Sequence, residues 1–218
     1  MGLFITFEGI EGCGKTTQLR MAGDYLMRRS VSVISTVEPG GTSLGQKIRE
    51  MLLNRGSDPL CREAELLLFC AARSQHVKEV IAPALAGGRI VLCDRFADAT
   101  VAYQGYGRRL DIDWIKTLTD FSANHLKPDL TFLFDLTVEE GLSRAFDRIA
   151  RNPQESPEDR FEREETAFHR RVREGYLDLA RREPDRFRVI DASREIAVIH
   201  EEVRRHLAAL IEERQDVL

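Results

Sequence analysis

The chain has 218 residues, of which 43% are hydrophobic and 31% are charged, and this size and composition suit one well-buried domain spanning residues 1–218. The formal net charge of -4 excludes a broadly basic protein, so neither nucleic acid nor a membrane surface is an expected partner. The four cysteines form no C-x-x-C pair, and no apolar stretch is long enough to span a membrane. We therefore expect a reduced, cytoplasmic protein whose ligands are small.

Short runs rich in β-branched or aromatic residues alternate with longer helical patterns, which is typical of βαβ units. The predicted fold class is α/β, with a five-stranded parallel sheet flanked by helices. The predicted strands are Leu3 to Glu8, Val31 to Val37, Arg89 to Asp94, Leu130 to Leu136 and Phe187 to Ile190. A last helix is predicted from Glu195 to about Glu213. Right-handed crossovers place the carboxyl ends of such strands at one edge, where ligands bind.

A phosphate-binding loop follows the first predicted strand, because residues 9–16 fit G-x-x-x-x-G-K-[ST] and lead into a helical pattern. The glycines let backbone N–H groups turn toward phosphate oxygens, Lys15 reaches the outer phosphates, and the Thr16 hydroxyl can hold Mg²⁺. The alternative is a glycine-rich turn between strand and helix that binds nothing. That alternative would require the motif spacing, the Lys-Thr pair and the strand context to coincide by chance. The residues predicted to bind ATP are Gly9, Ile10, Glu11, Gly12, Cys13, Gly14, Lys15 and Thr16.

Three classes of protein use this loop: small-molecule phosphotransferases, GTPase switches, and ATPases that act on a protein partner. The N-K-x-D stretch that binds guanine is missing after the fourth strand, which weakens the GTPase hypothesis. Asp94 and Arg95 end the third strand at the ligand edge. There Asp94 can organise Mg²⁺ and Arg95 can bridge donor and acceptor phosphates, whereas the alternative is a surface ion pair.

Several further motifs occur in order: E-P-G-G-T at 38–42, L-F-C-A-A-R at 68–73, D-R at 94–95, A-Y-Q-G-Y-G-R at 102–108 and P-D-L-T-F-L-F-D at 128–135. Together with the phosphate loop, this series resembles the signature of thymidylate kinases over most of the chain. The resemblance implies a P-loop nucleoside monophosphate kinase fold and ATP-dependent conversion of dTMP to dTDP with Mg²⁺. It also implies a cytosolic homodimer that serves DNA precursor synthesis.

The resemblance also implies an acceptor site. Arg49 matches the arginine that grips the monophosphate, and Tyr103 resembles a residue that crowds the position of a 2′-hydroxyl. Phe69 and Arg73 lie four residues apart on one helical face, so a ring can stack on thymine while the guanidinium binds the base. Glu11 resembles the carboxylate that accepts a hydrogen bond from the 3′-hydroxyl. The residues predicted to bind dTMP are Glu11, Arg49, Phe69, Arg73, Arg95, Tyr103 and Gln104.

Residues 151–159 contain two prolines and many polar side chains, which predicts a mobile surface excursion. The phosphate loop itself has no arginine at positions 10–13, and the excursion resembles the basic lid of bacterial-type enzymes, at about residues 148–163. Arg148, Arg151, Arg160 and Arg163 flank it. The predicted source of catalytic charge, beside Lys15 and Arg95, is Arg148, then Arg151, then Arg160; the alternative is a solvated charged surface.

Some positions depart from the family pattern: Val37 stands where arginine is common, and Phe96 where tyrosine or histidine is usual. Cys13 is interpreted as a small filler in its loop and the other cysteines as core residues. No histidine stands at metal-ligand spacing, so all five are assigned to the surface or to ordinary packing. Two alternatives stay open: a kinase for another nucleoside monophosphate, and a P-loop ATPase that regulates a protein partner.

Overall fold

The computed structural model describes residues 2–54, 59–151 and 160–215. Within these ranges five strands form one parallel sheet in the order β2-β3-β1-β4-β5. The strands are β1 (Leu3–Glu8), β2 (Val33–Val37), β3 (Ile90–Asp94), β4 (Leu130–Asp135) and β5 (Phe187–Asp191). The predicted α/β class and five-stranded parallel sheet are confirmed, and each predicted strand end lies within two residues of the observed one.

Helices cover both faces of this sheet. They are α1 (Lys15–Arg28), α2 (Ser43–Leu53), α3 (Arg62–His76), α4 (Ala82–Ala86), α5 (Ala97–Thr100), α6 (Ile112–Ser122), α7 (Val138–Arg151), α8 (Thr166–Arg182) and α9 (Ile196–Gln215). The segments Val77–Ile81 and Val101–Gly107 are π-helical and continue α3 and α5. Among the described residues, no helix is long and apolar enough to cross a membrane. Residues 152–159, which hold most of the predicted excursion, lie outside the described ranges.

The central strands are apolar along most of their length because both faces of the sheet are covered. Every residue of β1 and β3 is buried, whereas the edge strand β2 is only partly buried. The rings of Phe7, Phe132 and Phe134 pack together between β1 and β4. This rigid centre fixes the positions of the loops that leave the carboxyl ends of the strands.

The strand register brings three of those loops together. Asp94 at the end of β3 lies opposite Phe7 of β1 and Val37 of β2. The phosphate loop, the turn that begins at Glu38 and the Arg95 turn therefore start side by side. The Glu38–Pro39 peptide bond in the second of these is cis.

Candidate active site

A cavity of about 300 Å³ opens at this edge, bounded by the phosphate loop, α2, α3 and the segment Val101–Gly107. It brings together most of the side chains predicted from sequence. The predicted residues that line it are Glu11, Gly12, Lys15, Thr16, Arg49, Phe69, Arg73, Asp94, Arg95, Tyr103, Gln104 and Arg148. The predicted residues that do not line it are Gly9, Ile10, Cys13, Gly14, Arg151 and Arg160.

The phosphate loop is shaped by backbone that only glycine tolerates well. Gly12 has a φ of +71°, and a Cβ at this position would lie 2.0 Å from the carbonyl oxygen of Gly141 in α7. A Cβ at Gly141 would in turn lie 2.6 Å from the carbonyl oxygen of Glu11. The loop and α7 therefore approach each other through two glycines, and α1 begins directly after the loop, where a helix amino end favours anions.

Polar groups for phosphate and metal meet at the end of this loop. The Nζ atom of Lys15 donates to the carbonyl oxygen of Ile10 at 3.4 Å, so the lysine folds back over the loop. The Thr16 hydroxyl donates to the carboxylate of Asp94. Hydroxyl and carboxylate oxygens are ligands that Mg²⁺ accepts, so this pair fits a magnesium site. Cys13 is buried, and burial raises the pKa of its thiol despite nearby Lys15, which supports its interpretation as a filler.

Arg95 is held beneath the phosphate loop in a left-handed backbone conformation with φ +67°. Such a conformation costs about 1 to 3 kcal/mol for a residue other than glycine. The guanidinium donates to the carbonyl oxygen of Gly9 at 2.9 Å, to the Tyr176 hydroxyl at 3.0 Å and to Glu11 at 3.0 Å. It also lies 4.8 Å from the centroid of the Tyr103 ring. These contacts place a fixed positive charge in the cavity wall.

Glu11 is buried, so it is not an exposed loop carboxylate. Its Oε1 atom accepts from the Tyr103 hydroxyl at 2.5 Å and from Arg95. Its Oε2 atom lies 3.3 Å from Nδ1 of His169. Burial alone would raise the pKa of Glu11, but His169 and the charges of Arg95 and Lys15 lower it below its usual value. The carboxylate therefore stays ionised beside the cavity.

Phe69 and Arg73 lie on α3 and both line the cavity, as their spacing predicts. The Arg73 side chain is only 1% exposed, and its Nε atom donates to Glu38 at 2.7 Å while Nη2 donates to the Thr100 hydroxyl at 2.6 Å. Arg73 is thus part of a buried ion pair as well as a wall of the cavity. This second role was missed by sequence reasoning, which treated Glu38 only as part of a motif.

Gln104 and Arg160 meet at one buried carboxylate, that of Glu65 in α3. Gln104 donates to Oε1 at 2.9 Å, while Arg160 donates to Oε2 at 2.8 Å and to the carbonyl oxygen of Leu52 at 2.9 Å. Arg49 donates to the carbonyl oxygen of Pro39 at 2.9 Å. Arg160 therefore attaches the chain after residue 159 to α2 and α3.

Arg148 and Arg151 lie in the last turn of α7, and both are exposed. Arg148 lines the cavity and donates to Glu162 at 3.1 Å. Arg151 lines a second surface depression, which it shares with Arg144, Asp147 and Arg148. Of the arginines predicted for the lid, Arg148 is the one that reaches the cavity.

Several site residues were missed by sequence reasoning. Tyr176 of α8 donates to Glu8 at 2.8 Å, and burial together with the charge of Asp98 raises the pKa of Glu8 to about 8. His169, also on α8, is completely buried beside Glu11. One feature of the sequence could have indicated this buried cluster, namely the carboxylate of Glu8 at the end of a mainly apolar strand. A smaller correction concerns Cys61, which is exposed and not a core residue.

Comparison with known proteins agrees with these features. Residues 7–203 match the family model described as thymidylate kinase. A thymidylate kinase of Syntrophus aciditrophicus is 58% identical over 96% of this chain and 96% of its own, and one of Desulfosudis oleivorans is 55% identical over 87% and 89%. The crystal structure of thymidylate kinase from Ehrlichia chaffeensis superposes with a TM-score of 0.73 at 36% identity, covering 94% of this chain and 98% of that one.

These matches extend over nearly the whole chain and confirm the resemblance that the ordered motifs indicated, together with the P-loop nucleoside monophosphate kinase fold. They do not depend on the phosphate loop alone, since that loop covers only a small part of the matched length. The chain therefore belongs to the thymidylate kinase family.

Proposed function

We propose that this protein transfers the γ-phosphoryl group of ATP to dTMP, giving dTDP and ADP for dTTP synthesis. The observation that carries the proposal is that one cavity joins the phosphate loop to the acceptor residues. Lys15 and Thr16 of the phosphate loop line it, and so do Phe69 and Arg73 of α3. A nucleotide bound at each end would bring its phosphates together over Arg95, in a family whose members are kinases.

The donor end holds the ATP phosphates with backbone N–H groups of residues 9–14 and with the amino end of α1. Lys15 leaves the Ile10 carbonyl, a long contact of 3.4 Å, to bind an outer phosphate. Thr16 and Asp94 would hold Mg²⁺, which when bound neutralises phosphate charge. Both side chains lie at the mouth of the loop, where the phosphates of ATP would complete the oxygen ligands.

The acceptor end offers a separate contact for each part of dTMP. Phe69 stacks on the thymine base, while the Arg73 guanidinium and the Gln104 amide donate hydrogen bonds to the edge of the base. Tyr103 and Glu11, joined by a 2.5 Å hydrogen bond, face the sugar. For the acceptor phosphate the cations are Arg49 and Arg95, which both lie in the cavity wall. The fixed position of Arg95 suits it to charge that develops between the two nucleotides, since a preorganised cation needs no rearrangement.

Arg148 is our proposed source of lid charge. Its side chain is 59% exposed, and its ion pair with Glu162 can open when a phosphate group enters the cavity. Arg160 already makes hydrogen bonds with Glu65 and Leu52. We therefore assign Arg148 to the transferring phosphoryl group and Arg160 to attachment of the lid. Arg151 is the second choice for contact with the phosphoryl group.

We also propose a homodimer in the cytoplasm. On α6 the side chains of Trp114 and Phe121 are 69% and 78% exposed, and they lie on one helical face because they are seven residues apart. Leu67 of the neighbouring α3 is 57% exposed. An apolar patch of this kind supports association with a second copy, and Phe121→Glu should convert a dimer to a monomer in light scattering. The four free cysteines suit a reducing compartment.

The proposed activity is tested by incubating the protein with MgATP and each nucleoside monophosphate in turn, while ADP formation is followed. The expected result is ADP that depends on dTMP. ADP that depends on a different monophosphate would favour another nucleotide kinase. ADP that forms without any acceptor, or only with a macromolecule present, would favour the regulatory ATPase and contradict the proposal.

A further inference from the structure

His169 is a buried histidine to which the proposed chemistry assigns no role. Its side chain has no solvent exposure, and neither ring nitrogen makes a hydrogen bond with any of the described residues. Nδ1 lies 3.3 Å from Oε2 of Glu11, and within the same ranges this oxygen also lacks a hydrogen-bond partner. Buried polar groups are nearly always paired, so a possible donor and an acceptor that face each other at this distance indicate an interaction.

The two oxygens of Glu11 have different surroundings. Oε1 accepts from Arg95 at 3.0 Å and from Tyr103 at 2.5 Å. Oε2 is closed off from solvent and faces His169. A hydroxyl that enters the cavity is therefore expected to reach Oε1. The terminal torsion of a glutamate is broad, so contacts on one oxygen alone leave the carboxylate plane poorly fixed.

We propose that His169 is a positioning residue for Glu11: its Nδ1–H donates to Oε2 and fixes the carboxylate plane so that Oε1 meets the 3′-hydroxyl of the acceptor nucleotide. A neutral imidazole with its proton on Nδ1 is sufficient for this, because one nitrogen of each tautomer is a donor. The inference rests on the proposed function, in which Glu11 faces the acceptor sugar. It adds a residue from α8 to the recognition of that sugar.

The structural alternative is that His169 only fills space. Its ring packs edge-to-face on Phe168 at 5.4 Å between centroids. A packing role would affect every acceptor equally, whereas a role through Glu11 acts only on acceptors that carry a 3′-hydroxyl. The ratio of kcat/KM for dTMP to kcat/KM for 3′-deoxythymidine 5′-monophosphate, at saturating MgATP, separates the two roles.

Three variants at His169 and one control variant, all in the full chain, test this ratio. His169→Leu removes the donor and is expected to lower the ratio by at least about tenfold, the lower end of the value of a hydrogen bond to a charged group. His169→Asn places an amide nitrogen near the position of Nδ1 and should keep the ratio close to that of the unmodified chain. His169→Gln places its amide nearer to Nε2 and should behave like His169→Leu. His200→Leu on α9, another histidine whose Nδ1 is unpartnered, is the matched control and should leave the ratio unchanged.

A second test uses Glu11→Gln. In that background the preference for the 3′-hydroxyl should be weak, and adding His169→Leu should not lower it further. The proposal is overturned if His169→Leu lowers kcat/KM equally for both acceptors or leaves both unchanged. It is also overturned if the unmodified protein shows no preference for the 3′-hydroxyl, a result that leaves dTMP-dependent ADP formation, and so the proposed function, intact.

If His169→Leu does not fold, the comparison of His169→Asn with His169→Gln decides, because both keep a polar side chain of similar size. A higher ratio for His169→Asn supports the proposal, and equal ratios contradict it. Failure of the proposed function would look different, since the unmodified protein would then form no ADP in response to dTMP.

Discussion

Replacing Arg73 with alanine should affect both stability and dTMP binding, and the structure allows the two effects to be separated. Arg73 and Glu38 form an ion pair whose side chains are 1% and 2% exposed. Removal of one partner from such a pair costs about 3 to 5 kcal/mol, because the other charge stays buried. Oε2 of Glu38 lies 3.6 Å from Nδ1 of His76 and accepts no hydrogen bond from the described part of the chain, where it therefore has no second donor to compensate.

Arg73→Ala should therefore lower the free energy of unfolding by about 3 to 5 kcal/mol in urea titrations. Arg73→Ala combined with Glu38→Gln should recover more than half of this loss, since the unpaired charge is gone. Calorimetric titration of both variants should show weaker dTMP binding, by about 1 to 3 kcal/mol, with ATP binding nearly unchanged. An equal loss for ATP would refute the placement of Arg73 in the acceptor site, and a loss of stability below about 1 kcal/mol would refute the ion-pair reasoning.

Three further predictions concern the loop, the lid and a buried acid. Lys15→Ala should abolish turnover while the thermal midpoint stays close to that of the unmodified chain, because among the described residues this half-buried side chain makes a single, long hydrogen bond. Arg148→Ala should lower kcat by about 10²-fold or more with little change in dTMP affinity, and Arg160→Ala should lower kcat far less. The pKa of Glu8 is raised from 4.5 to about 8 on folding, so its contribution to stability is present below pH 4.5 and is lost as the pH rises to about 8. In Glu8→Gln the urea midpoint should therefore fall less between about pH 5 and about pH 9 than in the unmodified protein.

Each of these has a contrary result. Near-normal turnover in Lys15→Ala would contradict the phosphate-loop assignment. If Arg148→Ala and Arg160→Ala lowered kcat equally, the separate roles that we assign to the two arginines would be wrong. A pH dependence of stability that is identical with and without Glu8 would show that another group causes it.

The sequence predicted the sheet well because its strands are buried on both faces and so are nearly continuous apolar runs. β1 was predicted with its observed ends, since it stops where glycines begin. The last helix was predicted from Glu195 to about Glu213 and is observed at Ile196–Gln215. Local patterns were sufficient for these elements.

The placement of most predicted site residues around one cavity was also foreseeable, because the motifs stand at strand ends that share one edge of the sheet. Their assigned chemical roles stay predictions. What the sequence could not indicate were contacts between distant segments. In the sequence Gly141 looks like an ordinary helix residue, and only the structure shows that α7 contacts the phosphate loop there, at Gly12. His169 and Tyr176 carry no motif, and only the packing of α8 brings them to Glu11 and Arg95.

Arg160 illustrates why a charged segment cannot be divided by sequence alone. Four arginines near the lid have similar local surroundings in the chain, yet Arg148 lines the cavity while Arg160 binds a buried carboxylate on α3. That carboxylate, Glu65, lies ninety-five residues away in sequence. Periodicity and spacing hold no information about such a pair.

The central claim is that the cavity joins an ATP site to a dTMP site, and the most direct measurement follows the phosphoryl group itself. The protein is incubated with dTMP, Mg²⁺ and ATP radiolabelled in its γ-phosphate, and the products are separated by chromatography. The account predicts that the label passes to dTDP and that Lys15→Ala stops the transfer. Label recovered as inorganic phosphate, or in dTDP at an equal rate with Lys15→Ala, would contradict it.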